Sequence, residues 1–203
     1  SSTHSLEAPV PAPIRRPEPR RRPERALLFL LALLLPAPAA AQAGTIILAR
    51  HAEKAAPSGD PELTQDGMRR AEALAQVVAD VRLTAILTTQ FRRTRLTAVP
   101  AARAAGIAPT VLTATGNVTE DAAAVARGID ALPAGSVVLV VGHSNTLGPI
   151  IAALGGPTLP DLCDGEYATL FTLVRPAAGP PHLLRSRYGA AEPPGATACH
   201  AGP

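Results

Sequence analysis

The sequence predicts an α/β fold, a three-layer α/β/α sandwich with a mainly parallel central sheet. Three observations lead there. Two apolar, β-branched runs, 45–49 and 136–141, have the character of strands covered on both faces. Segments with apolar residues at helical spacing lie between and after them, the alternation expected of layered α/β proteins. Both runs stop at polar side chains, Arg50-His51 after the first and His143-Ser144 after the second. In open α/β sheets the ligand crevice lies beyond the carboxyl ends of the strands.

The chain has 203 residues, enough for one ordinary domain with a leader and a tail. Residues 1–43 read as a secretory leader. A Pro- and Arg-rich stretch precedes an unbroken apolar run at 26–35, and a small-residue stretch ends in A-x-A sites with cleavage expected after Ala41 or Ala43. The apolar run falls short of the roughly 20 residues that span a bilayer, so no stable membrane insertion is expected once the leader is removed. The expected location is therefore exported, periplasmic or secreted. The leader holds six of the 19 basic residues and three of the 16 acidic ones, which leaves the remainder with no formal net charge. The basic pI belongs to the leader, and the domain itself gives no case for nucleic-acid binding. Aromatics are 2% of the chain, so the core has to be built from Leu, Val, Ile and Ala.

The domain is expected over 44–189. After strand 45–49, Pro57, Gly59 and Pro61 mark a loop. Thr64 reads as the N-cap of a helix carrying Ala71, Leu74, Ala75, Val78 and Val81 inward, to about residue 82. A short strand at 85–89 precedes a helix over 91–105, interrupted or kinked near Pro100 and stopped by Gly106. Residues 110–112 form a third strand, and Thr119 caps a helix to about 131. Strand 136–141 is the most apolar and is expected at the centre, followed by a helix over 146–154. Stretches 167–174 and 183–187 read as a closing pair of strands around a Pro-rich turn. The 190–203 tail, rich in Pro, Gly and Ala, is expected to be loose unless Cys199 tethers it. Cys163 and Cys199 can pair in an oxidising compartment, and their separation matches no zinc motif.

Three strand ends carry the chemistry: Arg50-His51, the 88–94 segment with Arg92 and Arg93, and Gly142-His143-Ser144. Parallel strands would bring two imidazoles and at least two guanidiniums to one rim. Such a pocket suits a tetrahedral dianion and repels a divalent cation, so neither a metal nor another cofactor is expected. Ser144 lacks the G-x-S-x-G elbow of a serine hydrolase.

Four elements in register resemble the histidine phosphatase superfamily, the phosphoglycerate mutase-like fold. Ala49-Arg50-His51-Ala52-Glu53-Lys54 is similar to its R-H-G/A-E signature, and Leu63-Thr64-Gln65-Asp66-Gly67 with Ala71 to its L-T-x-x-G-x-x-x-A helix start. The 88–98 segment is similar to S-S-P-x-x-R-A-x-x-T-A, with Thr for Ser and Gln for Pro, and Val141-Gly142-His143 to the V-x-H element. The resemblance implies a small, exported RHxE-type member in which His51 is the nucleophile and forms a phosphohistidine. It implies that Arg50, Arg93 and His143 bind the phosphate. Arg92 is read as a solvated helix residue, and Glu53 as a buttress of Arg50 or Lys54. The general acid is assigned to Glu120, against the alternative that Glu120 and Asp121 serve only the helix dipole.

The expected function is metal-independent hydrolysis of a small phosphomonoester. The alternatives are a phosphohistidine (phosphoramidate) protein phosphatase, mutase-type phosphoryl transfer, and a non-catalytic phospho-ligand binding module.

Overall fold

The computed structural model describes residues 44–196 and 198–200. The expected leader at 1–43 and the end of the tail at 201–203 lie outside the described residues. The six strands are β1 (Gly44–Arg50), β2 (Ala85–Thr88), β3 (Thr110–Val111), β4 (Ser136–Gly142), β5 (Thr169–Arg175) and β6 (His182–Arg187). They form one sheet in the order β3-β2-β4-β1-β5-β6. The first four are mutually parallel, while β5 runs antiparallel to β1 and β6 antiparallel to β5. The mainly parallel sheet is as expected, with the closing pair as an antiparallel hairpin.

Both faces of the sheet are covered by helices. Alternate residues of a strand point to opposite faces, which divides the apolar runs between two cores. Ile46, Leu48, Val138 and Val140 pack with Ala122, Ala126 and Ile129 of α3 (Val118–Asp130) and with Ile150 and Ile151 of α4 (Leu147–Ala153). Ile47, Ala49, Leu139 and Val141 pack with Leu74 and Ala75 of α1 (Gln65–Val77) and with Ala98 and Ala101 of α2 (Arg92–Ala105). Alanines on the inner faces of α1, α2 and α3 let a chain poor in aromatics close its layers.

The elements differ from expectation where local signals compete. Helix α1 stops at Val77 rather than near 82; Val78 and Val81 are still used, in the turns that lead to β2. Helix α2 runs through Pro100 without interruption. Leu96, whose carbonyl loses the bond that Pro100 cannot donate, is on the exposed side, where water can take up the acceptor. The cap of α3 is Asn117, not Thr119: its side-chain oxygen accepts from the Thr119 and Glu120 amides at 3.1 and 3.3 Å. Asn is the stronger cap of the two, and it comes first. Tyr167 lies ahead of β5 rather than within it.

The tail is tethered. Cys163 and Cys199 form a disulfide with their Cα atoms 5.7 Å apart. Arg70 donates to the Ala190 carbonyl at 3.1 Å, and Glu192 accepts from the Ala168 amide at 2.8 Å.

Candidate active site

Strand register assembles the site. Arg50 at the end of β1 pairs with Gly142 at the end of β4, and Thr88 at the end of β2 pairs with Val141. The residues that follow these three ends therefore emerge on one rim. His51 and His143 come together there with ring centroids 5.4 Å apart, and Arg93 reaches His143, with Nη2 3.5 Å from the Nδ1 atom.

His51 is buried, and its Nδ1 hydrogen bonds to the Ala52 carbonyl at 2.8 Å. A carbonyl can only accept, so Nδ1 carries the proton and the lone pair of the neutral ring is on Nε2. Burial drives the His51 pKa down to about 3, and the charges of Arg50, His143 and Arg93 push the same way, against the bond to Ala52. His143 is lowered to about 4, by burial first and then by Arg93 and Arg50. Both rings are neutral at physiological pH, as a nucleophilic imidazole has to be.

Arg50 is buried at 3% exposure and stacks on Tyr167, with the guanidinium carbon 4.1 Å from the ring centroid. Its Nη1 donates to the carbonyls of Cys163, Asp164 and Glu166 at 2.8, 3.0 and 3.2 Å. Its buried Nε has no hydrogen-bond partner among the described residues. A donor left over on a fixed guanidinium fits an incoming oxyanion. Arg93 is held more loosely. It lies 4.3 Å over the Phe91 ring, and its Nη1 is 3.8 Å from Asp60.

The signature segments are locked to one another by backbone contacts. Thr64 caps α1 by accepting from the Gly67 amide at 3.0 Å, while the Thr64 amide donates to the Glu53 carbonyl at 2.8 Å. A Cβ at Gly67 would come within 2.3 Å of that carbonyl, which explains the glycine three residues after the cap. Thr97 Oγ1 accepts from the Ala52 amide at 2.9 Å and donates to the Arg93 carbonyl at 2.7 Å. One buried hydroxyl thus joins the His51 loop to α2. Thr89 bridges His143 Nε2 at 3.1 Å and Thr94 at 2.9 Å. Gln90, where the family pattern has Pro, makes two hydrogen bonds to the backbone of Ala114.

Other expected residues go elsewhere. Glu53 buttresses neither Arg50 nor Lys54. It pairs with Arg70 on α1 at 2.8 Å, whereas Lys54 donates to the Pro57 carbonyl at 2.6 Å. Arg92 is an outer helix residue paired with Glu62. Glu120 is exposed on the first turn of α3 and does not line the cavity of about 290 Å³ beside Arg93 and His143; its neighbour Asp121 does. The Asp121 carboxylate accepts from the Thr115 amide, the Thr115 hydroxyl and the Gly116 amide. Desolvation raises its pKa, but those bonds outweigh that and hold it below the usual range.

Sequence reasoning passed over Tyr167, Glu166 and Asp60. Tyr167 borders a loop, at the point where the sequence alone predicts the start of a strand. Glu166 is fully buried and paired with Arg185, a strand away, so no local pattern marks it. Thr94 and Thr97 lay inside a recognised motif and were discoverable there. Among the described residues, no group of three His, Cys, Asp or Glu could hold a metal ion, and no helix is long and apolar enough to cross a membrane.

The model of the histidine phosphatase superfamily (branch 1) matches residues 46–115, which include Arg50, His51 and Arg93. No curated protein matches in sequence. Similar solved structures include a mycobacterial glucosyl-3-phosphoglycerate phosphatase, with TM-score 0.54 and 18% identity, covering 72% of this chain and 99% of that one. Bacillus stearothermophilus YhfR gives 0.55 and 19%, covering 70% and 95%. A candidate phosphohistidine phosphatase, SixA from Agrobacterium tumefaciens, gives 0.54 and 22%, covering 72% and 98%. At these identities the likeness establishes a shared fold.

Proposed function

We propose that the chain is a phosphatase of the histidine phosphatase superfamily, a reading supported by the family-model match over residues 46–115, and that it hydrolyses small phosphomonoesters, without a metal, through a phosphohistidine on His51. The observation that carries this reading is the His51 ring. Its Nδ1–H is committed to the Ala52 carbonyl and its pKa is lowered to about 3, so Nε2 holds an available lone pair over the working pH range. Nε2 attacks phosphorus in line. The P–N bond forms as the bond to the leaving oxygen breaks, and Arg50, Arg93 and His143 offset charge on the other three oxygens. Water then attacks phosphorus, the P–N bond breaks, and phosphate leaves with His51 restored. Two guanidiniums around the phosphoryl group supply the positive charge that a divalent ion would otherwise bring.

A second reading concerns the leaving group. Asp121 is tied to the 115–116 backbone in its ionised form, and Glu120 is exposed away from the cavity. Neither is placed to protonate an alkoxide, which favours esters with stable leaving anions and phosphoramidates over simple alkyl esters. Export is part of the proposal; the Cys163–Cys199 bond supports it, because such bonds persist in oxidising compartments.

The test is p-nitrophenol release by the purified protein, with His51→Ala beside it and EDTA in both. Activity should survive the chelator and fall at least about 10⁴-fold in the variant. Turnover retained by His51→Ala sinks the mechanism. Phosphate binding without turnover by the wild type points to a binding module instead.

A further inference from the structure

We propose that the Cys163–Cys199 disulfide is a positioning element for Arg50, so that breaking it weakens phosphate recognition at a distance from the reacting atoms. The proposal rests on the phosphatase reading above. One nitrogen of Arg50 is enclosed by three carbonyls of one short loop, those of Cys163, Asp164 and Glu166. That nitrogen is spent on the loop. The direction in which the rest of the guanidinium faces is therefore inherited from segment 163–166.

The segment lies outside every strand and helix, so no ladder fixes it. It is held from two sides. On the inner side the buried Glu166 carboxylate accepts from the Cys163 amide at 2.8 Å and from Arg185 of β6 at 2.7 Å. On the outer side the disulfide ties Cys163 to Cys199 in the tail. The tail lies flush against the segment: a Cβ at Gly165 would meet Ala196 at 3.0 Å. The tail is itself pinned to the body through the Ala190 carbonyl and through Glu192, which also pairs with Arg187. The disulfide thus closes a covalent clamp on the residue that supplies the shortest of the three Arg50 bonds. Cys199 is exposed, within reach of a soluble thiol. A dithiol would give up two electrons and two protons, leaving two cysteine thiols and its own cyclic disulfide.

The test uses the full chain and compares kcat/KM for p-nitrophenyl phosphate and inhibition by inorganic phosphate in four proteins. These are the wild type, Cys199→Ser, Arg50→Lys and the double variant, with circular dichroism confirming that each is folded. Removing the disulfide should lower kcat/KM and weaken phosphate inhibition by about tenfold, the scale of a displaced binding group. In the Arg50→Lys background the same change should have less than about a twofold effect, because the two residues act in series. Should Cys199→Ser not fold, folded wild type and folded Arg50→Lys treated with dithiothreitol take the place of the serine variants. An effect of equal size in both backgrounds, or no effect with Arg50 present, overturns the proposal. A wild type that neither turns over nor binds phosphate overturns the phosphatase reading instead.

Discussion

Arg50 and Arg93 bring the same charge to the same two histidines and are held in opposite ways. Arg50 is buried, with one nitrogen among three backbone carbonyls and its face on Tyr167. The partners of the Arg93 guanidinium among the described residues are side chains: the Phe91 ring, His143 and an Asp60 oxygen at 3.8 Å. Backbone acceptors belong to the fold and do not rearrange cheaply, whereas side-chain partners change rotamer at little cost. The β1 half of the site is therefore preorganised around His51, the proposed nucleophile. The α2 half is the adjustable one, which on the proposed mechanism would let it follow the phosphoryl group.

Loss of each arginine is the most direct attempt to break that contrast. Arg50→Ala should lower kcat/KM for p-nitrophenyl phosphate by about 10²–10³-fold, the loss typical of a preorganised donor. Arg93→Ala should lose about tenfold to 10²-fold, because a mobile donor contributes less in the transition state. Equal losses would show that preorganisation does not separate the two halves.

The pH profile sharpens the comparison from the imidazole side. An ordinary histidine would switch off nucleophilic attack below about pH 6.5. With His51 near 3 and His143 near 4, the acid limb of kcat/KM attributable to these rings should lie below pH 5. The same shifts bear on stability. The unfolded chain takes up protons on these rings near 6.5 and the folded chain only near 3 and 4, so the unfolded state binds more protons between those values. Their contribution is complete above about pH 6.5 and is lost as the pH falls toward 4 and 3. Tm should drop across that window, and His51→Ala should flatten the drop.

Thr97 is where the two halves meet, since it bonds both Ala52 and the Arg93 carbonyl. Thr97→Val keeps the shape but strands the buried Ala52 amide, which should destabilise the fold by about 1–3 kcal/mol in denaturant titration. The smallest effect is expected at Glu120, whose side chain does not line the cavity although Val118 and Asp121 of the same helix turn do. Glu120→Gln should change kcat by less than about twofold. A loss of 10²-fold or more there would restore it as the proton donor.

How legible these features were depends on how local their causes are. Strands β1 and β4 announce themselves as apolar runs because both faces of the sheet are covered. His51, Arg50 and His143 could be found because each directly follows such a run. The partner of Glu53 could not be found so, because Arg70 lies 17 residues on and meets it only once α1 is packed. Glu166 is the stronger case. Its carboxylate is wholly buried on the Cys163 amide, three residues back across an irregular turn, and on Arg185 of β6, and neither contact follows a helical or strand pattern. Asn117 shows a different failure, because two good capping residues stood close together and the choice between them rested on loop geometry.

Strands β1 and β4 are hydrogen-bonded neighbours, and their registered ends, Arg50 and Gly142, lead directly into His51 and His143. Neighbouring strands lie about 4.8 Å apart whatever their sequence, a distance set by the peptide hydrogen bond. The spacing of His51 and His143 is in this sense a lattice constant of the sheet. Divergence of substrate preference in such a molecule cannot come from widening that gap; it has to come from the loops above it, which can be exchanged while the two histidines stay in place.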